Sequence, residues 1–267
     1  MSVFKKAYRV LSEEGFWPFI QKSGNYILKE VVPDSVYRLF LPEYIKLHIG
    51  NSHAKFHTSV ASLGYDFRDD FDTEKEVISH FINDLQKDDV LYDIGANAGI
   101  YSAFSGRKLS KGKVIAFEPH PVVVPALYHN LQINCKNFEA VQLAASNRTG
   151  FGKMQVTAST GADTKAEGGI NIPLRELSDV IEKEELKPPT VAKIDVEGAE
   201  GEVLEGLGEY ISELELLYIE LHQQKMNNYE HEIDIEKRLD EEFDRVITLG
   251  EQTRATTVTH IKATNRD

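Results

Sequence analysis

Four short stretches of this chain hold residues whose types and spacing could do chemistry. Asp93-Ile-Gly95-Ala-Asn97-Ala-Gly99 is a turn punctuated by glycines. Glu118 stands 19 residues beyond Gly99 and directly before Pro119. Asp195-Val-Glu197-Gly198 and Glu220-Leu-His222 each close an apolar run. Glycine lets a backbone approach a ligand closely and adopt positive φ. A carboxylate just beyond such a turn can accept both hydroxyls of a ribose. The turn and Glu118 together therefore read as a nucleoside site. The dinucleotide fingerprint needs glycine at its first, third and sixth places. Here those places are Gly95, Asn97 and Ile100, so that fingerprint fails. No Gly-x4-Gly-Lys-Ser/Thr phosphate loop occurs.

These stretches need a scaffold that brings them together. Residues 90–94, 113–117, 138–145, 191–196 and 216–221 read as strands, and 153–157 as an extension of the sheet. Helical spacing recurs over 100–109, 124–133, 174–181 and 203–207. Such alternation predicts an α/β fold: a mostly parallel sheet with helices on both faces. Ile235, Leu239 and Phe243 mark an acidic amphipathic helix, and 245–249 with 257–261 read as a closing hairpin. Thr73-Glu-Lys-Glu76 has the form of a capping box that opens a helix. In open α/β sheets ligands bind beyond the carboxyl ends of the strands. The turn at 93–99, Glu118, Ser146 after Ala144-Ala145, Asp195–Glu197 and Glu220–His222 all fall at that edge. Residues 157–169 are small, polar and glycine-rich, and are expected to form a loop that closes over the site. Residues 1–70, broken by Pro18, Pro33 and Pro42, are expected to be an N-terminal cap or a substrate or partner segment, with 71–267 the catalytic domain.

Charge narrows the partners. The chain has 267 residues, 30 Lys+Arg and 43 Asp+Glu, a net charge of −13. Residues 1–50 carry +2, so the excess negative charge lies beyond them. An acidic domain is a poor match for nucleic acid, whose phosphates demand Lys and Arg. It suits a small molecule, a glycan or a cationic cofactor. The basic and aromatic residues before position 50 allow a weak membrane-surface contact. No run of about 18 apolar residues and no secretory leader is apparent, and Cys135 has no partner for an internal disulfide. The expected location is the cytoplasm, peripheral to the membrane if residues 1–50 touch it.

Three of these blocks carry a resemblance. Asp93–Gly99, Ala116-Phe-Glu-Pro119 and Lys193-Ile-Asp-Val-Glu-Gly-Ala-Glu200, with Asn130-Leu131 and Glu220-Leu-His222, resemble the FkbM family of S-adenosylmethionine-dependent methyltransferases. The resemblance implies a Rossmann-like class I methyltransferase fold, with a seven-stranded sheet whose last two strands form an antiparallel hairpin. It also implies methyl transfer, usually to oxygen, on sugars or small molecules. By the same resemblance Asp93, Gly95, Asn97 and Gly99 form the cofactor loop and Glu118 holds the ribose. Ser146 lies near the adenine and Asp195 beside the methionine end. The cofactor carries a net charge of +1, which suits Asp93, Glu118 and Asp195.

A hydroxyl acceptor needs help losing its proton. His222 and Glu197 are the candidate bases, and Glu220 would orient His222 or bind a sugar hydroxyl. His222 could equally be structural, and Glu197 and Glu200 could simply complement a helix dipole. Asp195 and Glu220 match no defined metal motif, so no metal is expected. The acceptor expected is a hydroxyl of a sugar or glycan intermediate, with a small secondary metabolite as the alternative. A nicotinamide-dependent oxidoreductase and a non-catalytic binding module remain as rivals.

Overall fold

The computed structural model describes residues 43–57, 67–154, 169–222, 234–253 and 257–266. The chain divides into two compact units, Met1–Tyr44 and Ile45–Asp267. At their boundary the described elements begin with β1 (Tyr44–Ile49), β2 (Ser52–His57) and α1 (Phe67–Asp84). Then come β3 (Val90–Ile94), α2 (Ile100–Lys108), β4 (Lys113–Phe117), α3 (Val124–Asn134) and β5 (Phe138–Val141). Three strands of a separate small sheet come next: β6 (Ala144–Ser146), β7 (Gly150–Met154) and β8 (Ile170–Glu176). The chain closes with α4 (Leu177–Lys183), β9 (Val191–Ile194), α5 (Glu200–Gly206), β10 (Leu216–Leu221), α6 (Ile235–Glu242), β11 (Arg245–Thr253) and β12 (Thr257–Thr264).

The seven-stranded sheet has the order β11-β12-β10-β9-β3-β4-β5. From β10 to β5 every pair is parallel, and β12 runs antiparallel to both β10 and β11. This is the Rossmann-like class I methyltransferase arrangement. Every residue of β3 and β9 is buried, as expected of parallel strands covered on both faces. On one face Leu91, Val114, Ala116, Leu216 and Tyr218 meet Phe81, Phe104 and Leu127 of α1, α2 and α3. On the other Tyr92, Ile94, Ile115, Phe117, Ala192 and Ile219 meet Ile181, Val203 and Leu239 of α4, α5 and α6. The chain runs outward from β3 to β4 and β5 on one side, and to β9 and β10 on the other. That reversal beside β3 opens a crevice at the carboxyl edge.

Four elements differ from the sequence expectation. Residues 138–145 are not one strand: β5 stays in the main sheet, whereas β6 turns away to pair with β8. β7 overlaps the stretch expected to extend the main sheet, but it joins this second, three-stranded sheet, of order β6-β8-β7. Residues 170–176 are a strand, so the helix expected over 174–181 begins only at Leu177. Buried Ile172 and Leu174 are a strand-period pair that blends into the helical spacing of Leu177 and Ile181. Thr73 does not open the helix, because α1 already begins at Phe67 and the capping-box residues lie inside it. Residues 155–168, most of the expected lid, lie outside the described residues, as do 1–42.

β1 and β2, within the stretch expected to be an N-terminal cap, bury Leu47, Ile49, Ala54 and Phe56 in the core shared by α1, α2 and α3. α3 holds β2 as a sheet neighbour would. The Lys55 amide donates to Asn134 Oδ1 (3.0 Å), and Asn134 Nδ2 donates to the Lys55 carbonyl (2.7 Å). The His57 amide donates to Asn130 Oδ1 (2.8 Å), and Asn130 Nδ2 donates to the Ala98 carbonyl (2.8 Å). Asn130 thus ties β2, α3 and the 93–99 turn together. No described helix is long and apolar enough to cross a membrane. Asn134→Ala is expected to cost about 1–3 kcal/mol by leaving two backbone groups of β2 unpaired. Urea unfolding measures it, and a change under about 0.5 kcal/mol would remove the clamp from the account.

Candidate functional site

The 93–99 turn is set by close approach rather than by flexibility. Gly95 has φ +77°, and a Cβ there would lie 1.8 Å from the Asp195 carbonyl oxygen. Only a glycine lets the loops after β3 and β9 touch. The Gly95 and Ala96 amides both donate to the Phe117 carbonyl (3.0 Å each), which fixes the turn against the end of β4. Gly99 has φ +84° and caps α2, and a Cβ there would meet Leu127 at 2.7 Å. Asn97, at φ 49°, is a non-glycine residue in the left-handed region.

Glu118 joins two loops. The Asn97 amide donates to its Oε2 and the His120 amide to its Oε1, both at 2.8 Å. Burial pushes its pKa up to about 7, although both amides favour the carboxylate. Each oxygen retains acceptor capacity toward the cleft. That cleft lies beside Glu118 and is open to solvent at its mouth. Gly95, Asn97, Glu118, Ser146, Asp195 and Glu197 line it. Leu143, Met154 and Leu174 supply an apolar wall, partly from the small sheet. Ser146 donates to Glu202 Oε2 (2.8 Å) at its rim.

Asp93, Gly99, Glu220 and His222 do not line the cleft. Asp93 is buried, and its Oδ2 accepts from the Ser102 amide (3.0 Å) and hydroxyl (2.5 Å). It anchors the first turn of α2 and so holds the turn from behind. Burial raises its pKa, opposed by Lys193 and Ser102.

A second cluster stands beside the cleft. Lys193 donates to Asp195 Oδ2 (2.9 Å) and lies 4.6 Å from the centre of the Tyr101 ring. Burial disfavours the ammonium, but Asp195, Asp93, Glu220 and Glu74 outweigh it and raise its pKa. Burial likewise opposes the charged Asp195, yet Lys193 and His222 hold its pKa low. Burial first, then Asp195 and Glu74, push Glu220 up to about 8. His222 Nδ1 lies 2.8 Å from Glu200 Oε1, and its Nε2 faces Glu220 Oε1 (3.5 Å), Glu197 Oε2 (3.8 Å) and Asp195 Oδ1 (3.9 Å). Burial lowers the His222 pKa, but Glu200, Asp195 and Glu220 more than reverse it. His260 Nδ1 lies 3.7 Å from Glu220 Oε2. Glu197, at φ 60°, is a second left-handed non-glycine residue at the site.

The structure therefore gathers every expected site residue at one sheet edge, with Asp93 and Gly99 behind it. Sequence reasoning misses the part played by Glu200, fully buried and aimed at His222, and finds no role for Lys193 or His260. Lys193 left one signal: a cation between strand hydrophobics, one place from the sheet edge. His260 left none, because its neighbour Glu220 lies 40 residues away.

Comparison with known proteins shows the family. The methyltransferase FkbM domain matches residues 93–251. The chain belongs to the FkbM methyltransferase family. Hexuronic acid methyltransferase AglP of Haloferax volcanii is 28% identical over 152 residues, 56% of this chain and 62% of that protein. Methyltransferase sdnD of Sordaria araneosa is 30% identical, over 48% of this chain and 64% of that one. The chain thus spans less than two thirds of these relatives. The solved methyltransferase FkbM of Methylobacillus flagellatus covers 66% of this chain and 44% of its own, at 18% identity and a TM-score of 0.46.

The shift of Glu118 has a sign. Its folded pKa of about 7 lies above the ordinary carboxylate value, so the folded state holds a proton that the unfolded state has lost. Its contribution to stability is present at acid pH and is lost as pH rises to about 7. Glu118→Gln should flatten the fall in unfolding free energy between about pH 4.5 and 7. Parallel wild-type and variant curves in urea titrations would show that Glu118 titrates normally.

Proposed function

We propose that this FkbM-family domain transfers a methyl group from S-adenosylmethionine to a hydroxyl of a sugar or glycan intermediate. The observation that carries the cofactor is the cleft between the 93–99 turn and Glu118, whose two oxygens are already oriented by the Asn97 and His120 amides. A preset carboxylate is suited to accepting a ribose diol. The apolar wall of Leu143, Met154 and Leu174 suits an adenine, with Ser146 at its edge. Asp195, on the opposite side of the turn, suits the cationic methionine end.

The acceptor side is the cluster around His222. Sulfonium is already a good leaving group, so the protein has two tasks. It holds the acceptor oxygen in line with the methyl carbon and takes the hydroxyl proton. As the O–C bond forms, the C–S bond breaks and the pair returns to sulfur, while the proton passes to the cluster of His222, Glu197 and Glu220. Carboxylates at this edge accept from sugar hydroxyls and repel phosphate backbones, which favours a glycan over nucleic acid. The name of the 28% identical relative, a hexuronic acid methyltransferase, supports a sugar acceptor.

Isothermal titration with S-adenosylmethionine tests the cofactor, with NAD as the rival. Glu118→Ala should weaken S-adenosylmethionine binding by about 1–3 kcal/mol. Wild-type affinity should also fall from pH 8 to pH 6 as Glu118 takes a proton. Affinity that ignores both changes would sink the ribose assignment. With a glycan acceptor in hand, His222→Ala should lower kcat by about 100-fold with cofactor affinity nearly constant. Unchanged turnover would take the proton transfer away from this cluster.

A further inference from the structure

The surroundings of His222 show more than a base. Its Nδ1 is committed to Glu200, whose Oε1 also accepts from the Gly198 amide (2.9 Å). Glu200 is an acceptor, so Nδ1 carries a proton, and in the neutral imidazole, the form that ligates a metal, Nε2 presents its lone pair to the opposite side. There, among the described residues, oxygens of Glu220, Glu197 and Asp195 stand 3.5–3.9 Å from it. His222 is itself only 5% exposed. An imidazole with one nitrogen toward carboxylates and the other fixed by a further carboxylate has the outer-shell pattern of metal-binding histidines.

We propose that Asp195, Glu220 and His222 form a site for a divalent cation. One ligand atom from each lies within 4.8 Å of the other two. Cis ligands about 2.1 Å from an octahedral cation stand about 3.0 Å apart, so each Nε2–oxygen pair must close by less than about 1 Å. The ligands come from the ends of β9 and β10, two adjacent buried parallel strands, which fixes their spacing. Asp195 divides its oxygens: Oδ2 is held by Lys193 at 2.9 Å, and Oδ1 faces His222. Carboxylate and imidazole together suit a cation of intermediate hardness such as Mn²⁺. Among the described residues, Asp195, Glu197, Glu200 and Glu220 gather around one permanent cation, Lys193, so a divalent charge is electrostatically welcome. Three residues on one side leave coordination positions on the other. Of the three, Asp195 lines the cleft, and Glu220 lines a small neighbouring pocket with Lys193 and His260.

This cation deepens the proposed function and, for its role in catalysis, rests on it. Its open positions would chelate two adjacent oxygens of a sugar, a vicinal diol or a hydroxy acid. It would lower the pKa of the bound hydroxyl and offset the negative charge of a uronate, which this edge otherwise repels. His222 then serves as ligand, and Glu197, 3.8 Å from its Nε2, takes the proton.

Mn²⁺ itself is the probe, titrated into the full chain after chelator treatment, by calorimetry and by water proton relaxation. One saturable Mn²⁺ per chain is expected. Binding should weaken at least 10-fold in Glu220→Gln and in His222→Gln, and stay within about 2-fold in Glu118→Ala. No saturable binding, or variants that bind like wild type, overturns the proposal and leaves an imidazolium among carboxylates. A readout in the wild-type protein guards against misfolded variants. Mn²⁺ should broaden the His222 ring resonances selectively, and broadening of all histidines alike, or of none, counts against the site. S-adenosylmethionine titration separates the two readings. Mn²⁺ bound without it removes the methyltransferase reading and keeps the cation, and the converse removes only the cation.

Discussion

One buried ammonium makes this sheet edge possible. Lys193 is 5% exposed and stands opposite Asp93 in the β3–β9 register, with Asp195 two residues further along its own strand. Isolated carboxylates among parallel hydrophobic strands would be neutralised by protonation. Lys193 lets Asp195 stay ionised where burial alone would protonate it. Breaking a buried pair by removing one partner costs about 3–5 kcal/mol, because the other charge remains. The charge of the cleft therefore depends on a residue that does not border it. The Tyr101 ring over Lys193 adds a face of α2 to the same arrangement.

Placement depends on backbone contact rather than on charge. The loops after β3 and β9 approach so closely at Gly95 that no Cβ fits, and the turn is pinned to β4 through the Phe117 carbonyl. Asp93 holds α2 from below, and Asn130 holds Ala98 from the α3 side. The turn is thus fixed from four sides, by the loop after β9, by β4, by α2 and by α3. That is the preorganisation a positioned methyl transfer requires, since misplacement by about 1 Å can cost about 100-fold in rate.

What the sequence disclosed depends on how local each signal is. β3, β4 and β10 are legible to the residue, because buried parallel strands are continuous apolar runs. The residues at their ends are legible for the same reason. The small sheet is not. β6 is three residues long, continues from β5 without a breaker, and sets Ala144 against Leu174 of β8, 30 residues downstream. No local pattern records a change of sheet. The type of Asp93 suits a cation, and so suggests a ligand-facing residue. The alternation of β3 settles otherwise, since Asp93 points with Leu91 to the side of α2.

Two residues at the site keep a backbone conformation that only glycine adopts freely. Asn97 at φ 49° and Glu197 at φ 60° come after β3 and β9, each two residues beyond the close contact between their loops. Asparagine tolerates this region better than most residues, whereas glutamate has no local compensation of that kind. Strain of about 1–3 kcal/mol persists only where the surroundings impose it. At Asn97 it turns the amide onto Glu118 Oε2. At Glu197 it turns the chain so that Gly198 donates to Glu200 and the Glu197 carboxylate meets His222. The two strained residues therefore face the two halves of the reaction, one beside the ribose carboxylate and one beside the acceptor cluster. Relieving the strain at position 197 with glycine would free the backbone but remove the carboxylate. Stability and chemistry pull that residue in opposite directions, and glutamate at φ 60° is the arrangement in which the chemistry prevails.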